Sequence, residues 1–239
     1  MKTALFVSAA ALVAVVGSSA SAAVTYAGSA GAKAAEVEFS VVGSTLTVKL
    51  TNTSTADVLV PSDVLTAVFF NVSGGATSFA PASAVLTAGS FVIQDTAPAG
   101  GVVGGEWAYR NDVAEGGAIS GTNHGISSTG LGVFGGPSFP GSNLGGPAAV
   151  DGLQYGLVSA GDNAATGNGG IMGADGLIHN SVTFSFTGAN GFNLSRINCV
   201  YFLYGTALNE GGFTGQIVPT PGSSALAVIA GGLIFRRRR

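Results

Sequence analysis

Between Glu36 and Thr51 the chain alternates apolar and polar residues with period two, twice over. Val37, Phe39 and Val41 interleave with Glu36, Glu38 and Ser40; after Gly43-Ser44, Leu46, Val48 and Leu50 interleave with Thr45, Thr47, Lys49 and Thr51. Two such runs joined by a two-residue turn predict a β-hairpin, because glycine supplies the left-handed backbone that a tight hairpin turn needs. Such a ribbon has one apolar face that it cannot bury alone, so it calls for more sheet. Comparable runs lie at Val64–Val72, Ser83–Leu86, Ser90–Gln94, Glu106–Arg110, Leu153–Ser159, Ser181–Phe186 and Arg196–Tyr204. With no amphipathic helical period among them, these strands predict an all-β fold: a single jelly-roll-like β-sandwich with long Gly-rich loops. A right-handed β-solenoid would need a fixed-period repeat, which the sequence lacks.

From Glu115 to Gly176 the composition shifts, and about half of the chain's 39 glycines fall there. Too few large side chains remain to bury a continuous core, so this stretch reads as long loops broken by a strand near Tyr155.

Both ends read as addresses. Lys2, the apolar run Ala4–Val16 and the small residues Ser18–Ala23 form a signal peptide, residues 1–22, with Ala20-Ser21-Ala22 as the A-x-A site and cleavage after Ala22 or Ala23. At the other end, Pro219-Thr220-Pro221-Gly222 precedes an apolar run, Ala225–Phe235, and then Arg236, Arg237, Arg238 and Arg239. The arginines hold that end in the cytoplasm. As a helix, Ala225–Phe235 would cover about 16 Å of a hydrocarbon core near 30 Å, which suits a temporary stop that a membrane enzyme cuts better than a permanent span. Residues 23–217 then form the body and residues 218–239 the sorting tail.

Val218-Pro219-Thr220-Pro221-Gly222, the apolar run and the four arginines resemble the sorting segment of the PEP-CTERM family, exosortase-dependent surface proteins of bacteria with two membranes. Thr220 departs from the pattern, standing where the family has Glu between two prolines. Asp63–Phe70, Gly105–Arg110, Gly152–Gly156 and Tyr204–Leu208 look like segments that recur in a group of such proteins. The resemblance implies export through the Sec translocon, transient insertion in the inner membrane through a C-terminal helix, and delivery to the cell surface by an exosortase-like enzyme. It also implies a loose association with extracellular polysaccharide, and it brings no catalytic residues.

Charge narrows the partners further. Lys2 and the four terminal arginines lie outside the body, leaving Lys33, Lys49, Arg110 and Arg196 against all 12 acidic residues, a formal charge of −8. Such a body is unsuited to nucleic acid or anionic lipid, which bind through cationic neutralisation of phosphate. Cys199 is the lone cysteine, so no internal disulfide is expected; its place in the apolar run Ile197–Tyr204 predicts a buried structural thiol in a central strand.

Several constellations look chemical. Gly130–Gly135 matches G-x-G-x-x-G, and Asp151 follows at a suitable distance, but Gly136–Gly141 cannot be the helix that a dinucleotide site requires. His124 and His179 lack partners at metal-ligand spacing, and the sequence has no G-x-S-x-G elbow, so the histidines read as structural. Asn52, Asn71 and Asn193 begin Asn-x-Ser/Thr triplets at a frequency no higher than chance. Asp162, Asn163, Asn168 and Asp175 are weak Ca²⁺ candidates that lack EF-hand spacing and read first as turn formers. Trp107 and Tyr109 share a strand face near Glu106, Arg110 and Asp112: exposed, they would stack a sugar ring; buried, they are core.

The expectation is therefore a non-enzymatic exported protein, structural or adhesive in the extracellular matrix, needing no cofactor. A carbohydrate-binding module using Trp107 and Tyr109 is the alternative, and a glycan-active enzyme the third reading.

Overall fold

The computed structural model describes residues 23–75, 77–114, 116–130, 142–145, 150, 152–173 and 176–219. Its strands are β1 (Ala23–Ala30), β2 (Lys33–Val42), β3 (Thr45–Asn52), β4 (Leu65–Val72), β5 (Ala80–Leu86), β6 (Phe91–Ile93), β7 (Ala108–Arg110), β8 (His124–Ser127), β9 (Ser142–Asn143), β10 (Leu157–Val158), β11 (Leu177–His179), β12 (Ser181–Thr187), β13 (Ile197–Tyr204), β14 (Gly212–Thr214) and β15 (Gln216–Val218). The fold is all-β in two sheets. One runs β15-β1-β2-β3-β12-β5; the other runs β6-β11-β10-β4-β8-β7-β9, with β13 paired to β4 and β14 paired to β13. Among the described residues no helix is long and apolar enough to cross a membrane.

The hairpin fixes the first sheet. Phe39 lies opposite Val48 and Val37 opposite Leu50, and Gly43 takes φ +62° as the first turn residue. On the far side of β3, Phe184 pairs with Val48 and Phe186 with Leu46. The inward side chains of this sheet meet Leu65, Val68 and Phe70 of β4, Ile126 of β8, and Val200 and Phe202 of β13 in one buried cluster. The rings interlock edge to face, Phe39 against Phe70 at 5.0 Å between centroids. That geometry contributes about 0.5–1.5 kcal/mol per pair beyond simple burial.

At one corner the chain passes from the second sheet to the first within a single residue. Gly215 separates β14 from β15, and its N–H donates to the Val200 carbonyl. A Cβ at position 215 would stand 2.9 Å from the Phe202 ring and 3.2 Å from Val200 Cγ1, so only glycine fits the crossing.

Two expectations are corrected. The Gly-rich stretch is not simply long loop: β8 lies there wholly buried, paired with β4 on one edge and β7 on the other. Small residues deny it a hydrophobic period, yet they let it fit between two neighbours. Second, Cys199 is exposed, not a buried thiol. The β4–β13 register shifts between Asn198 and Tyr201, and Cys199 takes φ +47° inside that bulge. The extra residue turns Val200 and Phe202 inward and the thiol outward. Val218, placed with the tail at 218–239, closes β15 opposite Thr25 of β1.

Candidate functional site

Trp107 and Tyr109 do share a face, and it is the inward one. Both are buried, with Trp107 4.9 Å from Phe184 and Tyr109 4.8 Å from Phe186 between ring centroids. They reach from the β7 side of the second sheet to β12 of the first, and burial pushes the Tyr109 phenol well above its usual range. Neither ring offers a stacking surface to a sugar. The polar residues near them do not form a rim either: Glu106 is buried, and Arg110 Nε donates to Asp112 at 2.6 Å.

His124 is enclosed. Its ring stacks on Phe70 at 5.2 Å, Nδ1 lies 2.6 Å from Asn123 Oδ1, and Nε2 lies 3.2 Å from the Thr77 carbonyl. Burial outweighs the Thr77 contact and holds the imidazole pKa down at about 4. His179 stacks on Phe91 and reaches the Ala160 carbonyl.

Of the calcium candidates, Asp175 lies outside the described residues. Asp162 accepts from the Val58 N–H at 3.2 Å, Asn163 from Ala165 N–H at 3.2 Å, and Asn168 from Gly170 N–H at 2.9 Å. These are loop-closing and Asx-turn bonds. Asp57 reaches the same loop, accepting from Asn163 N–H at 2.9 Å and Thr166 Oγ1 at 2.6 Å, and the two carboxyls are within hydrogen-bonding reach of one another. Burial, and then the neighbouring Asp57 carboxylate, raise Asp162, while its bonds to Thr166 and Asn163 lower Asp57. Among the described residues no group of three or more His, Cys, Asp or Glu side chains gathers to hold a metal.

The Asn-x-Ser/Thr asparagines are engaged within the fold. Asn52 is buried and donates to the Leu157 carbonyl, Asn71 donates to Asn198, and Asn193 caps Ser195 N–H.

Of the residues expected to direct processing, Ala20, Ala22, Thr220, Pro221, Gly222 and Arg236, Arg237, Arg238 and Arg239 lie outside the described residues. Those within them come together. Ala23 opens β1 and Val218 closes β15, and these strands pair antiparallel, Thr25 with Val218, Tyr26 with Ile217 and Ala27 with Gln216. The first and last strands of the body therefore end side by side at one edge of one sheet.

Among the described residues, two surface clefts bear on function. One, of about 370 Å³, is lined by Lys33, Asp57, Asp63 and Tyr204 among others. Its polar groups already have internal roles: Asp63 accepts from Leu59 and Val60 N–H, the Tyr204 hydroxyl donates to the Ala34 carbonyl, and Lys33 Nζ sits 5.3 Å over the Tyr204 ring. The other, of about 450 Å³, lies at the Gly215 corner beside the Cys199 bulge. Sequence reasoning missed this second cleft, because the run Ile197–Tyr204 looks apolar on both faces and nothing in it announces a bulge. No protein-family model, curated protein or solved structure matches this chain.

Proposed function

We propose that this chain is an exported, non-enzymatic surface protein of the PEP-CTERM type, structural or adhesive in the extracellular matrix. Its body is a single jelly-roll-like sandwich whose chain passes repeatedly between the sheets, with β1–β3 as a three-strand meander. The Sec translocon exports it, and an exosortase-like enzyme acts on the tail from the inner membrane. The observation that carries this reading is the β1–β15 pairing. With Ala23 two residues from Thr25, the partner of Val218, the two ends of the described body lie at one end of one sheet, and cuts at Ala22–Ala23 and beyond Pro219 would remove none of the described strands. A body tethered at either stage hangs from the same end.

A non-catalytic role is supported by how the polar side chains are engaged. His124, Asp57, Asp63 and Asp162 hold loop backbone. The test is mass spectrometry of both ends of surface-recovered protein. The expected mature chain starts at Ala23 or Val24 and ends between Pro219 and Gly222. Terminal peptides that retain Arg236–Arg239 would overturn C-terminal processing.

A further inference from the structure

We infer that the cleft at the Gly215 corner binds a neutral saccharide, with Tyr201 as the stacking platform. The floor is the β13 bulge, where Cys199 and Tyr201 face outward; one wall is the β14–β15 crossing, with Thr214 and Gln216, and the other is the turn carrying Ser120. Tyr201 is half-buried, its far side packed on the small cluster of Phe69, Val113 and Ile119, so the ring is held in position while part of it stays open. An aromatic side chain fixed in this way offers a large apolar surface at little further loss of conformational freedom.

Beside it the hydroxyls of Ser120 and Thr214 and the amide of Gln216 are exposed and, among the described residues, make no hydrogen bond of their own. Elsewhere on this body exposed polar side chains hold loop backbone, as Asn163 and Asn168 do. Here Ser120, Thr214 and Gln216 line an open cleft without side-chain bonds of their own, while the Thr122 and Tyr26 hydroxyls in the same lining donate to the Ile119 and Ile197 carbonyls. The lining also contains no charged side chain, although the body carries four cations and 12 acids. A ligand matched to these walls presents an apolar face to the ring and several neutral donors and acceptors to the rim, and it carries no charge that the site would have to compensate. That is the chemistry of a neutral sugar ring, with C–H groups on its face and hydroxyls around its edge. A cleft of about 450 Å³ falls within the usual range for small-molecule sites, about 300–1,000 Å³.

The inference rests on the surface-protein reading only for the source of the sugar, a matrix polysaccharide; the groove chemistry stands apart from export. Cys199 supplies a reporter, being the lone cysteine and exposed in the groove. The experiment uses the mature chain, Ala23–Pro219, with linear neutral glucan and mannan oligosaccharides and an alginate oligosaccharide as the charged comparison. Binding is followed by calorimetry and by the rate of iodoacetamide alkylation at Cys199. A neutral oligosaccharide is expected to bind with millimolar or better affinity and to slow alkylation in proportion to occupancy. Tyr201→Ala should weaken that binding about tenfold or more, Tyr201→Phe should retain it, and Gln216→Ala should weaken it severalfold. Because Tyr201→Ala loses packing as well, Tyr201→Phe and Gln216→Ala keep the test independent of any misfolding.

Three outcomes would overturn the inference: no neutral sugar binding at millimolar concentration, binding of alginate alone, or protection of Cys199 by self-association of the protein without sugar. None of them would bear on the mature termini, which test the export reading separately.

Discussion

Removing an imidazole from water favours its neutral form, and His124, enclosed by Phe70, Phe79 and Tyr109, is held at a pKa of about 4 against 6.5 for the free side chain. The folded-state pKa is the lower one, so the unfolded chain takes up this proton first as pH falls. The His124 contribution is therefore complete above about pH 6.5 and is lost progressively down to about pH 4, amounting to about 3 kcal/mol at the bottom of that window. His124→Gln does not titrate there. The wild-type protein should lose stability between pH 7 and pH 4.5, measured by urea unfolding, relative to the variant; parallel profiles would show that His124 does not control the acid limb. At the same scale Phe39 and Thr47 test the hairpin. Phe39 is fully buried and Thr47 points to the outer face, so Phe39→Ala should cost about 3–5 kcal/mol and Thr47→Ala under about 1 kcal/mol. Equal losses would contradict the register.

Among the elements, those with large apolar side chains, whether in a period of two as in β2 and β3 or in a run apolar on both faces as in β4 and β13, are the ones that sequence reasoning locates. β2, β3, β4, β12 and β13 each carry large apolar side chains that pair across the core, and each was legible within a few residues. β1, β8, β14 and β15 were not. Ala23–Ala30 is rich in small residues, His124–Ser127 is buried on both faces, and β14 and β15 are three residues each, so none of them shows the alternation that identifies a strand in isolation. Their neighbours define them. The candidate sites divide in the same way: the inward or outward direction of Trp107 and Tyr109 depends on which face of β7 meets β12, and the outward turn of Cys199 and Tyr201 depends on a register shift against β4. Gly215 is the element-scale test of the corner. Gly215→Ala would press a methyl group against Phe202 and Val200, and overpacking of this kind costs about 1–3 kcal/mol. Equilibrium unfolding should show that loss; an unchanged midpoint would mean the crossing has more room than the described contacts allow.

At the scale of the whole molecule, one buried cluster draws on both sheets, so the sheets should unfold together. The loop around Asp162 is closed by protein hydrogen bonds, and melting curves of the mature chain in millimolar Ca²⁺ and in EDTA should superimpose; a rise of several degrees with Ca²⁺, removed by Asp162→Ala, would make it a calcium-ordered loop. The second test at this scale asks where the body ends. β15 adds the ladder pairs Thr25–Val218, Tyr26–Ile217 and Ala27–Gln216, covers one edge of β1 and ends at Val218. A chain ending at Val218 should therefore melt within about 1 °C of one ending at Gly222. A chain ending at Gly215 should melt about 2–8 °C lower, from roughly 1–2 kcal/mol of lost pairing and about 2–4 °C per kcal/mol for a body of this size. On the proposed sorting, an enzyme that cut after Pro219 would then release a body as stable as the one it received. If the chain ending at Val218 were the destabilised one, the tail would be part of the fold, and its removal could not be a maturation step that leaves the body intact.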